Sequence, residues 1–218
     1  KGSISISGGG VTQTVQVTLT VTSASVAAGG YKLIGWNDLG MHCMDGKDYS
    51  IFAVLPPYNT IHAHLLDAAG RLVNSDIGYT VTYQAVSDPL TNTINTRSAT
   101  KTNFWSYAAQ LGFGSLTPDV GLKGYAMPVN NVPQAMKFAS ADNTWLAEGI
   151  PVTPYADNGA ANYFPMMRLT AKDALNRVLA TADIVTPVSD EMNCALCHAS
   201  NTGSLAARPS AGWVNNAD

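Results

Sequence analysis

Five residues near the C-terminal end, Cys194-Ala195-Leu196-Cys197-His198, hold the most specific chemistry in this chain. Two thiols three positions apart can reach the two vinyl groups on one porphyrin edge, and the imidazole that follows can meet the iron from one side. That is the attachment pattern of a covalent c-type haem. A redox dithiol, a zinc or copper half-site and a structural disulfide are the competing uses of the same spacing. A zinc site would need a second pair of ligands, and outside the motif only Cys43 and three histidines remain. The motif therefore predicts one haem c, tethered by Cys194 and Cys197, with His198 on the iron.

An electron-transfer haem iron takes a second axial ligand, His or Met, which helps set its potential. No Met follows Cys197, so that ligand must come from upstream or from another subunit. His42, His62 and His64 are the candidates. In the segment Thr60–Leu66 the apolar residues Ile61, Ala63 and Leu65 alternate with His62 and His64, so a strand would put both histidines on the face opposite the core. A flat macrocycle docked there would meet one of them; a solvated pair or an adventitious metal site is the plainer alternative. His42 lies in Gly40-Met41-His42-Cys43-Met44-Asp45-Gly46, read as a loop whose glycines permit close approach to a cofactor. His42 and His62 are the joint favourites, with a lean to His42. Met41, Met44, Met166 and Met167 are weaker choices, since methionines in a β-rich chain usually fill cores. Cys43 is left as a buried free thiol, a bridge to another molecule or part of a soft metal site with His42.

These residues need a scaffold, and the pattern around them is that of strands. Alternating apolar and polar residues run from Val11 to Thr22, flanked by Gly8-Gly9-Gly10 and Gly29-Gly30. One such strand cannot bury its apolar face alone, so it must pair with this domain's sheet or with a neighbouring subunit's. Further strands are expected at Tyr31–Trp36, Ser50–Leu55, Thr60–Leu66, Arg71–Ser75, Tyr79–Val86, Gln134–Ala139, Thr144–Ala147, Tyr163–Thr170 and Arg177–Val185. Asp67–Gly70 and Ala171–Ala174 read as hairpin turns. One helix is expected over Asn103–Leu111, capped by Thr102 or Asn103 and stopped by Gly112. The sum is a mainly β chain: an immunoglobulin-like β-sandwich with one short helix and a C-terminal haem-binding segment. Its parts are an N-terminal strand and linker over 1–29, a sandwich over 30–190, and the attachment segment and tail over 191–218.

With Cys194–His198 as the anchor, the chain resembles the c-type cytochromes, although the motif sits near the C-terminal end and no Met follows it. The longer stretches Gly35-Trp-Asn-Asp-Leu-Gly-Met-His-Cys-Met-Asp45, Leu55-Pro-Pro-Tyr-Asn59 and Pro187-Val-Ser-Asp-Glu-Met-Asn-Cys194 are similar to secreted cytochromes of metal-respiring bacteria. Several such proteins continue into further haem motifs, so the resemblance implies that this chain could be a processed or truncated piece. The Val11–Thr22 strand resembles the closing strand of bacterial immunoglobulin-like repeats.

Composition fits an exported protein. Hydrophobic residues make up 46%, charged residues 12%, and the net charge is −3 with no basic run, which disfavours nucleic acid and anionic membrane surfaces as partners. The longest apolar run, Ile51–Leu55, is far too short for a membrane span. An extracellular or cell-surface location is expected, with the periplasm as the alternative. Three roles follow. The first is a single-haem electron carrier serving redox partner proteins or extracellular acceptors. The second is a homo-oligomeric or filament subunit joined by N-terminal strand exchange that stacks haems. The third is a haem or haem–copper enzyme acting on a small molecule.

Overall fold

A computed structural model describes the backbone at residues 2–8, 11–17, 30–38, 41–44, 49 and 58–192, and side chains at 30–38, 49 and 58–188. Period-two alternation is what builds its centre. In β5 (Tyr58–Leu66), Ile61, Ala63 and Leu65 are fully buried while Thr60, His62, His64 and Leu66 lie half-buried on the other side. The division of this strand expected from its sequence is the one observed. The same alternation in β6 (Tyr79–Val86) buries Val81, Tyr83 and Ala85, and in β10 (Met166–Asp173) it buries Met167, Leu169 and Ala171.

Two four-stranded antiparallel sheets pack together. The first runs in the order β3 (Lys32–Asn37), β5, β9 (Thr144–Pro151), β8 (Lys137–Ala139). The second runs β11 (Val178–Val185), β10, β6, β7 (Gln134–Ala135). Leu33, Ile61, Leu65, Trp145 and Ile150 of one meet Val81, Tyr83, Met167, Leu169 and Ile184 of the other in a single core. The molecule is thus mainly β, a sandwich-type arrangement with one short helix.

Several expectations need correction. The stretch Gln134–Ala139 is two strands rather than one. Buried Met136 sits between them and donates its N–H to the Val81 carbonyl, and the chain passes from one sheet to the other there. Such a corner is made by one strand switching sheets, which alternation alone does not reveal. Arg71–Ser75 makes only an isolated bridge, Leu66 to Leu72, because Asp67 ties the Ala69 and Arg71 N–H groups into a tight turn. The second turn starts later than expected. β10 continues to Asp173, whose carboxylate then receives the Leu175 and Arg177 N–H groups.

The helix α1 spans only Phe104–Tyr107. Asn103 does not cap it; its side-chain oxygen instead accepts the Tyr49 N–H at 2.7 Å. Phe104 anchors a second, smaller core with Tyr49, Tyr58 and Ala108. Burial there pushes the Tyr58 hydroxyl up to about 12.

The N-terminal strand does not stand alone. β2 (Val11–Val17) pairs antiparallel with β1 (Gly2–Gly8), in a sheet separate from the two large ones. The expected strand Ser50–Leu55 and residues 18–22 of the N-terminal strand lie outside the described residues. Among the described residues no helix is long and apolar enough to cross a membrane.

Candidate functional site

One end of the first sheet gathers the sequence stretches that stand out chemically. β3 ends at Asn37, and after Asp38 the chain soon re-enters strand structure as β4 (Met41–Met44). β4 pairs in parallel with β12 (Val188–Met192): Val188 lies opposite Met41, Ser189 opposite His42 and Met192 opposite Met44. The segment expected as a glycine-bracketed loop therefore contains a strand. Its four residues show no alternation, so only a partner strand distant in sequence could reveal it. A parallel pair sends both chains the same way. Beyond Met192, only Asn193 precedes Cys194.

A chain of side-chain hydrogen bonds holds the root of β12. The Asn37 side-chain amide donates to the Asn59 side-chain oxygen at 3.3 Å, and Asn59 donates to the Pro187 carbonyl at 3.1 Å. On either side of Pro187, Thr186 donates its N–H and its hydroxyl to the Pro165 carbonyl, and Val188 donates its N–H to the Tyr163 carbonyl. Thr186 and Val188 are fully buried. Asn37, Asn59 and Pro187, one residue from each of three stretches far apart in sequence, thus meet at one place.

His62 faces outward from β5 as its alternation requires. Its Nε2 lies 2.8 Å from an Asp38 carboxylate oxygen, and the Trp36 indole stacks on its ring at 5.3 Å, nearly parallel. His64 meets the same indole edge-on, and its Nε2 is 2.9 Å from the Thr144 hydroxyl. Both imidazoles thus have protein partners at Nε2. The register also separates them: His62 lies opposite Trp36, nearer the end from which β4 departs, and His64 lies opposite Ile34.

Of the predicted site residues, Cys194, Cys197 and His198 lie outside the described residues. His42 and Cys43 are placed by their backbone on β4, and His62 is placed with its side chain. Among the described residues no cluster of three or more His, Cys, Asp or Glu is arranged to hold a metal ion. Met167 is fully buried in the main core, which is packing. Sequence reasoning did not single out Asn37, Asp38 or Asn59 for these contacts. Their signal in the sequence was membership of two of the three stretches that carry the family resemblance.

Fold and site together define a β-sandwich-type protein with a paired-strand end leading into the Cys194–His198 pentad. No family model, curated protein or solved structure matches the chain.

Proposed function

We propose that this chain is an extracytoplasmic c-type cytochrome carrying one haem for electron transfer, on an immunoglobulin-like scaffold. Cys194 and Cys197 would hold the haem through thioethers, and His198 and His42 would be its axial ligands. The observation that carries the reading is the parallel β4–β12 pair, since it brings the His42 strand beside the strand that runs into the motif. Neighbouring strands lie about 4.8 Å apart, so the two ligand-bearing segments start from adjacent positions. The donor set suits the group: imidazoles, with methionine and cysteine at Met41, Cys43 and Met44. His42 is favoured over His62 because the His62 ring is already held by Asp38 and covered by Trp36.

The bound haem would supply a one-electron couple; the protein's part is to fix ligands and exclude water. Redox partner proteins or extracellular acceptors would take the electron.

An absorption spectrum in alkaline pyridine, taken on protein from a host competent in cytochrome maturation, tests the reading. A haem c signature is expected, and colourless protein would refute it. His42→Ala should then abolish the six-coordinate low-spin spectrum and let carbon monoxide bind the ferrous iron, while His62→Ala should leave both unchanged.

One observation favours a second reading, a filament subunit: β1 and β2 form their own sheet, with Ile4, Ile6, Val15 and Val17 sharing one face of the ribbon by register. A two-stranded ribbon is marginal by itself in water. If it joins subunits, deleting residues 1–25 should leave a folded monomer by sedimentation. Unchanged assembly would dismiss that reading.

A further inference from the structure

Buried asparagines are expensive to leave unpaired, so where one sits deep in an apolar fold its two arms identify what it holds together. Asn59 is 4% exposed. The pairing of β5 with β9 shifts register between Asn59 and Ile61, and at this irregularity Tyr58 and Asn59, adjacent in sequence, are both buried. Asn59 accepts from Asn37, the last residue of β3, and donates to Pro187, the residue before β12. The neighbouring backbone adds a strut, with the Asp38 N–H donating to the Thr60 carbonyl at 3.1 Å.

From this arrangement we infer that Asn59 is a positioning residue for the haem: it fixes the root of the attachment strand β12 against the end of β3, and so sets how β4 and β12 lie together. This rests on the functional reading above. The physical argument is one of leverage. β4 and β12 make only a short ladder, with an irregularity between Ser189 and Met192, and so few bonds of their own hold their register. Their alignment is inherited from where each strand leaves the sandwich. Asn37 and Asp38 lead into β4, and Thr186 and Pro187 lead into β12. Among the described residues, Asn59 is the side chain bonded to both exits. The Thr186 and Val188 bonds hold the second exit to 163–165, but neither ties it to β3.

Mutating outer groups that orient a metal's ligands typically costs about 10–100-fold in metal affinity or activity. Loss of the Asn59 bridge should therefore be felt at the iron without touching the thioethers. Asn59→Leu keeps the branched shape, though it is bulkier, and removes both bonds; Asn37→Ala removes only the first and sits in a half-buried position that tolerates truncation.

The experiment compares full-length, haem-loaded wild type, Asn59→Leu, Asn37→Ala and a control, Lys101→Met, whose ion pair lies outside this network. Haem content by pyridine spectrum should be equal in all four. Asn59→Leu should show carbon monoxide association at least about tenfold faster than wild type, a shifted midpoint potential, and faster amide exchange in the peptide covering 186–193. Asn37→Ala should move the same readouts less, and it carries the test if Asn59→Leu does not fold. Lys101→Met should lower stability and leave the iron unchanged. If the Asn variants lose stability with unchanged carbon monoxide kinetics and potential, Asn59 is merely structural and the inference fails. If wild type itself contains no haem, the functional reading fails instead, and the two failures are distinct.

Discussion

At Gly35 the two sheets approach more closely than any side chain would permit. A Cβ built there would lie 2.3 Å from Leu169 Cδ1 and 2.9 Å from Ile184 Cγ2. Those are the far ends of side chains, but they are packed in the core, so Gly35→Ala should cost about 1–3 kcal/mol through overpacking. Gly121 is more severe, because its Cβ would meet the Gly149 carbonyl oxygen at 1.8 Å, and a backbone cannot rotate away. Urea unfolding should rank Gly121→Ala as the more damaging of the two; the reverse order would contradict this account of the contacts. Tyr58 supplies a pH dependence. Its hydroxyl ionises near 10 when unfolded but only at about 12 when buried in the native protein. Below pH 10 both states keep the proton and the contribution is intact. Between the two values the unfolded chain releases a proton that the folded one retains, so stability should fall as pH rises through this window. Urea midpoints from pH 9 to 12 should decline, and Tyr58→Phe should flatten the decline. Neither effect was legible in the sequence. A glycine shows nothing of what it faces, and Tyr58 is buried by partners at Tyr49 and Phe104 that fold in from elsewhere.

At the scale of elements, the readable parts were those whose pattern is local. β5, β6 and β11 declare themselves by alternation or β-branched content, and their spans came close to expectation. β4 and β12 were hidden because each is short, lacks a period and is made a strand only by the other. The long passage between β6 and β7 is also non-local. It is stitched by carboxylates instead of ladders: Asp119 accepts from Ser98 and Ala99, and Asp157 accepts from Thr96. Lys101 completes that stitching, with its ammonium 2.7 Å from Asp157 and also donating to the Tyr155 carbonyl. Burial pulls the Lys101 ammonium below its ordinary value, opposed only in part by Asp157. Burial pulls the Asp157 carboxyl up, but hydrogen bonds from Lys101 and Thr96 prevail and hold it below the usual carboxylate range. Lys101→Met should therefore cost about 3 kcal/mol, the low end for a broken buried pair, since Asp157 keeps a fifth of its side chain in water. Adding Asp157→Asn should recover part of that loss in a double-mutant cycle; fully additive losses would show the pair uncoupled.

Across the whole molecule, the sandwich class was legible from the density of short strands, while the pairing of β4 with β12 was not. The pentad at Cys194–His198 was plain in the sequence, while the bonds among Asn37, Asn59 and Pro187 are announced by no local pattern. The parallel join of β4 with β12 has a temporal consequence. Its two halves are separated by nearly the entire described domain, and contacts of such separation cost most loop entropy and form late. The ladder should close only after the sheets on which it rests. Pulse-labelled hydrogen exchange during refolding should find amides of β5 and β10 protected first and those of β4 and β12 last; early protection at β12 would break the sequence of events. In a newly made chain this order would leave β12 without its partner until the two sheets have formed, so that closure of this end becomes the last stage of maturation.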